Sequence, residues 1–237
     1  MNPDASTTAI DVIIPAYTGA IYLREAIASV LSQTVPVREI LVVDDGSTDE
    51  SANHANGLPK TRIVRQANAG VAAAINRGVT ETTAPLLAFL DHDDLWTRDR
   101  LARQLPFLLG PDPADLVLGH IQNFHSPDLS DAERQRIHCP PQSLAGYVTG
   151  TMLLRREAFL RVGPLKTDWK VGSHIEWLAR AQDLGLRLQM LPEVVLQRRL
   201  HRDNLSRREM ASRPDFARIL KFVLDRRRQQ KFTPELL

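Results

Sequence analysis

The chain has 237 residues, 43% hydrophobic and 24% charged, which is ordinary for a soluble globular protein and ample for one large α/β domain or two small ones. The single cysteine, Cys139, excludes an internal disulfide and any cysteine-rich zinc site. A net charge of +2 conceals an asymmetry: twelve Lys/Arg stand against four Asp/Glu between Arg198 and Lys231, so the remainder is acidic.

That basic C-terminal section suggests an anionic partner, although a solvated helix face rich in arginine explains most of it equally well. No apolar run approaches the roughly 20 residues of a membrane span. Met1 to Ala9 is polar and lacks a signal-peptide core, so the expectation is a cytoplasmic enzyme.

In chain order, Ile10 to Ile14 reads as a short buried strand ending at Pro15-Ala16-Tyr17. Leu23, Ala26, Ile27, Val30 and Leu31 then recur at helical spacing until Pro36. Ile40 to Val43 is a second strand, stopped by Asp44-Asp45-Gly46-Ser47-Thr48-Asp49, a run of carboxylates, a turn glycine and capping side chains. A short helix to about Asn56 and a strand over Arg62 to Arg65 follow. Asn68-Ala69-Gly70 opens a helix with Ala72, Ala73 and Ala74, predicted to stop at Gly78.

Leu86 to Leu90 is a run of five apolar residues, which fits a central strand covered on both faces. It runs into Asp91-His92-Asp93-Asp94. Carboxylates crowded so closely repel one another and become favourable around a cation or a hydroxyl-rich ligand. A solvated turn before a helix explains them as well. Leu101, Leu105 and Leu108 mark the next helix, ended by Gly110-Pro111. The alternation predicts a parallel sheet with helices on both faces. Polar loops fall after Ile14, Val43 and Leu90, at the strand ends where open sheets bind ligands.

The second half is less regular. Leu116 to Leu118 is expected as a strand, Ser126 to Gln142 as a loop or lid, and Gly150 to Leu154 as a strand leading to a short helix from Arg156. Trp169 to Ser173 is a polar loop before a helix from His174 to Gly185. Two short strands, Leu186 to Leu191 and Val194 to Leu200, deliver His201-Arg202-Asp203-Asn204. Phe216, Ile219, Leu220 and Val223 mark a last amphipathic helix with a strongly basic outer face.

Taken together, these motifs resemble family 2 inverting glycosyltransferases with the GT-A fold. The resemblance rests on Val12-Ile13-Ile14-Pro15-Ala16-Tyr17, Val42 to Asp49, Asn68-Ala69-Gly70 with Asn76-Arg77-Gly78, and Leu90 to Asp94. Gly150-Thr151-Met152 and Glu176-Trp177-Leu178-Ala179-Arg180 with His201 complete the set, from about Ile10 to Ser206. It implies an α/β, Rossmann-like mixed and mostly parallel sheet flanked by helices. Residues 10–206 would form one domain, with a nucleotide-binding half over 10–110 and an acceptor half over 111–206. A tail (1–9) would precede it and a basic helix (207–237) would follow.

The resemblance further implies a nucleotide-sugar donor, commonly UDP-linked. Tyr17 would stack on the base, with Pro15 and Ala16 shaping the backbone there, and Asp45 would accept the base N–H. Asn68, Asp91 and His92 would join the donor site, Asp91 through the ribose hydroxyls. Asp44 reads as a structural cap. Asp93 would ligate a divalent metal, Mn or Mg, completed by His201, because hard oxygen ligands favour these ions over zinc. Asp94 takes part or caps the following helix. Arg199 and Arg202 are nearby candidates for phosphate contact. The acceptor would meet Ser126 to Gln142 and Gly150 to Thr151.

An inverting transfer needs one general base. The family supplies it from a Glu-Asp pair whose place here is held by Ser173-His174. Either His174 takes over, or Glu176 does, and the family's carboxylate chemistry leans to Glu176. The two side chains point about 200° apart on one helix and cannot face the same substrate. The departure also allows a catalytically impaired nucleotide-sugar-binding protein. A module in which the basic tail binds a partner is a third reading. The acceptor is open: a sugar, a lipid-linked glycan or a protein. No nucleic acid is expected, and the basic helix is compatible with peripheral contact with the anionic inner face of a membrane.

Overall fold

The computed structural model describes residues 8–18, 20–49, 55–169, 171–204 and 213–232. Strand β1 (Ile10–Ala16) is buried throughout, and β2 (Glu39–Asp44) along all but its first residue. Both faces are covered. Ile10, Val12 and Ile14 pack with Leu23, Ala26, Ile27 and Val30 of α1 (Ala20–Leu31). Ile13 turns the other way, into a second cluster with Ala74, Ile75 and Val79 of α2 (Val71–Glu81).

Helix α2 does not stop at Gly78. A Cβ there would lie 2.4 Å from Ile13 Cγ2, so the glycine serves close approach of helix to strand and not termination. The helix expected before Asn56 falls largely on residues outside those described. Strand β3 (Thr61–Arg65) pairs in parallel with β2, β2 with β1, and β1 with β4 (Leu86–Phe89).

Beyond β4 come β5 (Leu95–Trp96), α3 (Arg100–Leu109), β6 (Leu116–His125), α4 (Asp131–Arg136) and β7 (Leu144–Ala145). A single turn of 3-10 helix (Thr149–Thr151), β8 (Leu153–Arg155), α5 (Arg156–Val162), α6 (Ser173–Asp183), β9 (Leu188–Leu200) and α7 (Arg213–Phe232) complete the described chain. The sheet runs β3-β2-β1-β4-β8-β6-β9-β5, with β7 on β6. Strand β8 is antiparallel to β4 and β6, whereas β9 returns parallel to β6.

The second half therefore differs from expectation in extent. Strand β6 runs through His125, and the two predicted strands after Leu186 are one, β9. The register slips between Leu118/Met190 and His120/Val194, so Pro192 sits in a bulge and does not break the strand. The expected lid contains α4, opened by a reciprocal capping box of Ser130 and Glu133. Gly150 and Thr151 belong to the 3-10 turn and precede the strand.

Helix α7 lies against α6. Ile219 and Val223 cluster with Ala179 and Trp169. Arg226 and Arg227 both pair with Asp183, at 2.6 and 2.7 Å. The expected basic outer face is thus partly turned inward, because α6 offers it Asp183 and the buried Glu176. No helix among the described residues is long and apolar enough to cross a membrane.

Candidate functional site

The loops after β1 and β2 are tied together. The Asp45 amide donates to the Ala16 carbonyl at 2.8 Å and the Thr18 amide to Ser47 Oγ at 3.1 Å. Pro15 and Ala16 are buried in the strand end, whereas the Tyr17 ring is 47% exposed beside it. Thr18 holds a φ of +41°, an uncommon conformation for a β-branched residue. Asp44 acts as the cap expected of it: its Oδ1 accepts the Ser47 amide at 2.8 Å.

Asp45 is more committed than its sequence suggests. Oδ1 accepts from Gln66 Nε2 and the Ala69 amide, both at 2.8 Å, and Oδ2 from the Gly70 amide at 2.7 Å. It staples the 66–70 loop over the end of β2. Gly46, at φ +79°, permits that approach, since a Cβ there would lie 2.9 Å from the Asn68 nitrogen. Asn68 is exposed on the loop so placed. A carboxylate has about four lone-pair sites, so Asp45 retains acceptor capacity.

The acidic tip follows β4. Asp93 Oδ2 meets His201 Nε2 at 2.9 Å, joining the β4 tip to the end of β9. The Asp203 amide donates to His201 Nδ1 at 3.2 Å, which makes Nε2 the protonated nitrogen and the donor to Asp93. Asn204 Oδ1 accepts the His201 amide at 2.7 Å, and its Nδ2 lies 3.4 Å from Asp93 Oδ2. The Tyr22 ring of α1 packs 4.9 Å from the imidazole.

Burial, then the neighbouring Asp93 charge, pushes the Asp91 carboxyl up to about 6. Burial also presses Asp93 upward, but the His201 hydrogen bond and the His92 and His201 charges outweigh it and hold Asp93 below the ordinary range. Asp94 is driven well above it, first by burial and then by Asp93 and Asp91. Its Oδ1 accepts the Arg199 amide at 2.8 Å, so Asp94 fastens β9 and does not cap α3, which begins at Arg100.

Arg199 is buried between the Tyr22 and Phe124 rings and donates to Glu25 Oε2 at 2.6 Å and the Asp93 carbonyl at 2.9 Å. Arg202 turns to Asp128 and Glu133 at the start of α4. Both expected phosphate contacts therefore hold protein carboxylates.

The start of α6 separates the two base candidates. Glu176 is fully buried, its oxygens both 3.0 Å from Arg180 Nε, and Oε1 accepts from Arg226 of α7 at 2.9 Å. It faces the α6–α7 contact. His174 is half-buried, and burial followed by the Arg198 charge lowers its pKa to about 4. The Arg198 charge also acts on Asp91 and Asp94, where it lowers the pKa against burial.

Asp91, His92, Asp93 and His201 are thus gathered, with Tyr17, Asp45 and Asn68 on the neighbouring loops. Tyr22, Asn204 and Arg198 were not anticipated. Asn204 carried a signal, an Asx side chain three residues after His201 that can close a turn. Tyr22 carried none.

Among the described residues no three His, Cys, Asp or Glu side chains converge as a metal cage. Asp93 Oδ2 and His201 Nε2 nevertheless lie together beside a repelled carboxylate pair, and Nε2 would become a second metal donor once its proton moves to Nδ1. That suits Mg²⁺ or Mn²⁺, which keep several waters and bind one or two protein ligands plus substrate phosphates.

Residues 11–163, more than half of the chain, match the family described as Glycosyl transferase family 2. An uncharacterised glycosyltransferase of Rickettsia conorii is 30% identical over 193 residues, which cover 76% of this chain and 30% of that protein. YibD of Escherichia coli, also an uncharacterised glycosyltransferase, is 40% identical over 93 residues, 38% of this chain and 27% of its own. The chain thus spans well under two thirds of these relatives. The crystal structure of Staphylococcus aureus TarS 1-349 in complex with UDP-GlcNAc superposes with a TM-score of 0.68 at 18% identity, covering 91% of this chain and 65% of that chain. The complex of TarS 1-349 with UDP gives 0.61, also at 18% identity, over 81% of this chain and 60% of that one. The fold is that of the GT-A glycosyltransferases, and the chain belongs to glycosyl transferase family 2.

Proposed function

We propose that the chain transfers a sugar from a nucleoside diphosphate donor, UDP-linked, to an acceptor hydroxyl with inversion at the anomeric carbon. The observation that carries this reading is the 2.9 Å contact of Asp93 with His201 beside Asp91, at the carboxyl edge of the family's sheet. The UDP and UDP-GlcNAc complexes of the TarS fold relative support the choice of nucleotide.

Tyr17 stacks on the base, in the backbone setting of Pro15 and Ala16. Asp45, through its remaining lone pair, and Asn68 fix the base and ribose side. Asp91 accepts ribose hydroxyls, and His92 lines the same turn. Asp93 and His201 would hold a divalent metal, Mn or Mg, which would supply Lewis-acid stabilisation of the diphosphate's negative charge.

His174 is the better-placed base, since both oxygens of Glu176 are held by arginine. A pKa of about 4 gives its imidazole the proton affinity of a carboxylate and leaves it neutral at pH 7. The acceptor oxygen bonds to the anomeric carbon while its proton passes to an imidazole nitrogen of His174. The bond from that carbon to the phosphate oxygen breaks, and its electron pair leaves with the diphosphate.

Incubation with a panel of nucleotide sugars tests the reading. UDP release with Mn²⁺, abolished by EDTA, supports it, and NMR of the product anomer tests inversion. Donor binding without release across the panel favours the impaired binding protein instead.

Helix α7 also supports contact with an anionic membrane surface. Leu220 and Leu224, 60% and 44% exposed, stand one turn apart beside exposed Lys221, Arg218 and Arg228. Flotation with phosphatidylglycerol vesicles, lost at high salt, tests it.

A further inference from the structure

The Tyr22 ring that packs 4.9 Å from the His201 imidazole also lies 4.6 Å from the Arg199 guanidinium, so both faces of the β9 end meet one buried phenol. The Tyr22 hydroxyl donates to Asp128 Oδ1 at 3.2 Å. Ser126 Oγ, fully buried, donates to the same oxygen. Ser126 is itself fixed to β9, its amide donating to the Leu200 carbonyl at 2.9 Å.

The other oxygen of Asp128 serves the residue after His201. Arg202 Nη1 reaches Oδ2 at 3.3 Å, and Nη2 donates to the Asp128 carbonyl at 3.1 Å and to Glu133 Oε2 at 2.9 Å. The Ser126 hydrogen bond, with Tyr22 and the Arg202 charge behind it, outweighs burial and holds Asp128 below the ordinary carboxylate range. An exposed ion pair between Arg202 and Asp128 would by itself contribute little to stability. What sets this carboxylate apart is where its two oxygens lead. One reaches His201 through the Tyr22 ring, the other through the neighbouring residue in the chain.

We propose that Asp128 is a positioning residue of the metal site, holding the His201 imidazole beside Asp93 through Tyr22 and Arg202. The segment from Ser126 to the end of α4 and a divalent ion at Asp93 and His201 are thereby coupled, and each tightens the other by the same factor. This rests on the metal-holding role given to Asp93 and His201 above.

The test uses the full chain with Mn²⁺ and UDP. Free Mn²⁺ is read by electron paramagnetic resonance for wild type, Asp128→Ala and Tyr22→Phe, each with His201 intact and in the His201→Ala background. Tyr22→Phe keeps the ring against the imidazole and removes only the hydroxyl, which serves if Asp128→Ala fails to fold. Asp128→Ala should weaken Mn²⁺ binding by about fivefold or more, and Tyr22→Phe should weaken it in the same direction. Neither should change it in the His201→Ala background. Asp128→Asn, whose amide oxygen still accepts from Tyr22, should recover most of the loss. Hydrogen exchange over residues 129–136 should slow when Mn²⁺ and UDP are added to wild type, and Asp128→Ala should lose that response. Unchanged Mn²⁺ affinity in both folded variants, an equal loss in both backgrounds, or wild-type exchange indifferent to Mn²⁺ overturns the proposal. Wild type that binds no Mn²⁺ in the presence of UDP rejects the metal site itself, and the positioning role falls with it.

Discussion

Asp93 and His201 lie 108 residues apart in the chain, and their side chains meet at 2.9 Å with Nε2–H donating to Oδ2. Tyr22 packs against the imidazole and Asn204 Oδ1 accepts the His201 amide, so the ring is held beside Asp93, where a divalent ion would bind Nε2 after its proton moves to Nδ1. His201→Ala should therefore weaken Mn²⁺ binding in the presence of UDP by about 10- to 100-fold. Electron paramagnetic resonance of free Mn²⁺ reads this directly, and unchanged affinity removes His201 from the metal site.

Glu176 serves the α6–α7 contact. Truncating one member of a buried ion network leaves the others uncompensated, so Glu176→Ala should lose about 3–5 kcal/mol of stability in urea unfolding. Arg226→Ala should lose less, because Arg180 still grips both carboxylate oxygens. Folded Glu176→Gln should still release UDP, whereas His174→Ala should not. The reverse pattern would return the base to Glu176.

His174 also predicts a pH dependence. Its folded pKa of about 4 lies below the ordinary 6.5, so the unfolded chain takes up the proton first as pH falls. Its contribution to stability is present above 6.5 and is lost between 6.5 and 4. Unfolding midpoints of wild type minus His174→Asn should trace that window. A flat difference would mean that the ring titrates normally.

Gly78 faces Ile13 across the α2–β1 contact with no room for a methyl group. Gly78→Ala should destabilise by about 1–3 kcal/mol through overpacking, and the Ile13→Val background should recover part of it. Equal losses in both backgrounds would contradict the close approach.

The parallel half was legible because buried strands leave runs with no polar interruption, as in Ile40 to Val43 and Leu86 to Leu90. Gly78 misled because a glycine that ends a helix and one that lets a helix touch a strand look alike in sequence. Strand β6 was truncated because Gly119, His120, Gln122 and Asn123 break its apolar run. Pro192 reads as a break between two strands because a bulge can be recognised only from its partner strand. The Ser130 to Glu133 capping box is visible in the sequence, but the prolines and mixed charge of Ser126 to Gln142 mask the short helix it opens. In the site, the acidic tip and His201 stood out by residue type. The engagement of Asp45 by the 66–70 loop and of Glu176 by α7 depends on segments distant in sequence, and no local pattern carries either.

Calorimetric titration of UDP into wild type and Asp93→Ala, each with Mn²⁺ and with EDTA, tests the central claim most directly. The account predicts binding by wild type that requires Mn²⁺ and is lost in Asp93→Ala. Binding of equal affinity in all four titrations, or no binding by wild type with Mn²⁺, would contradict it.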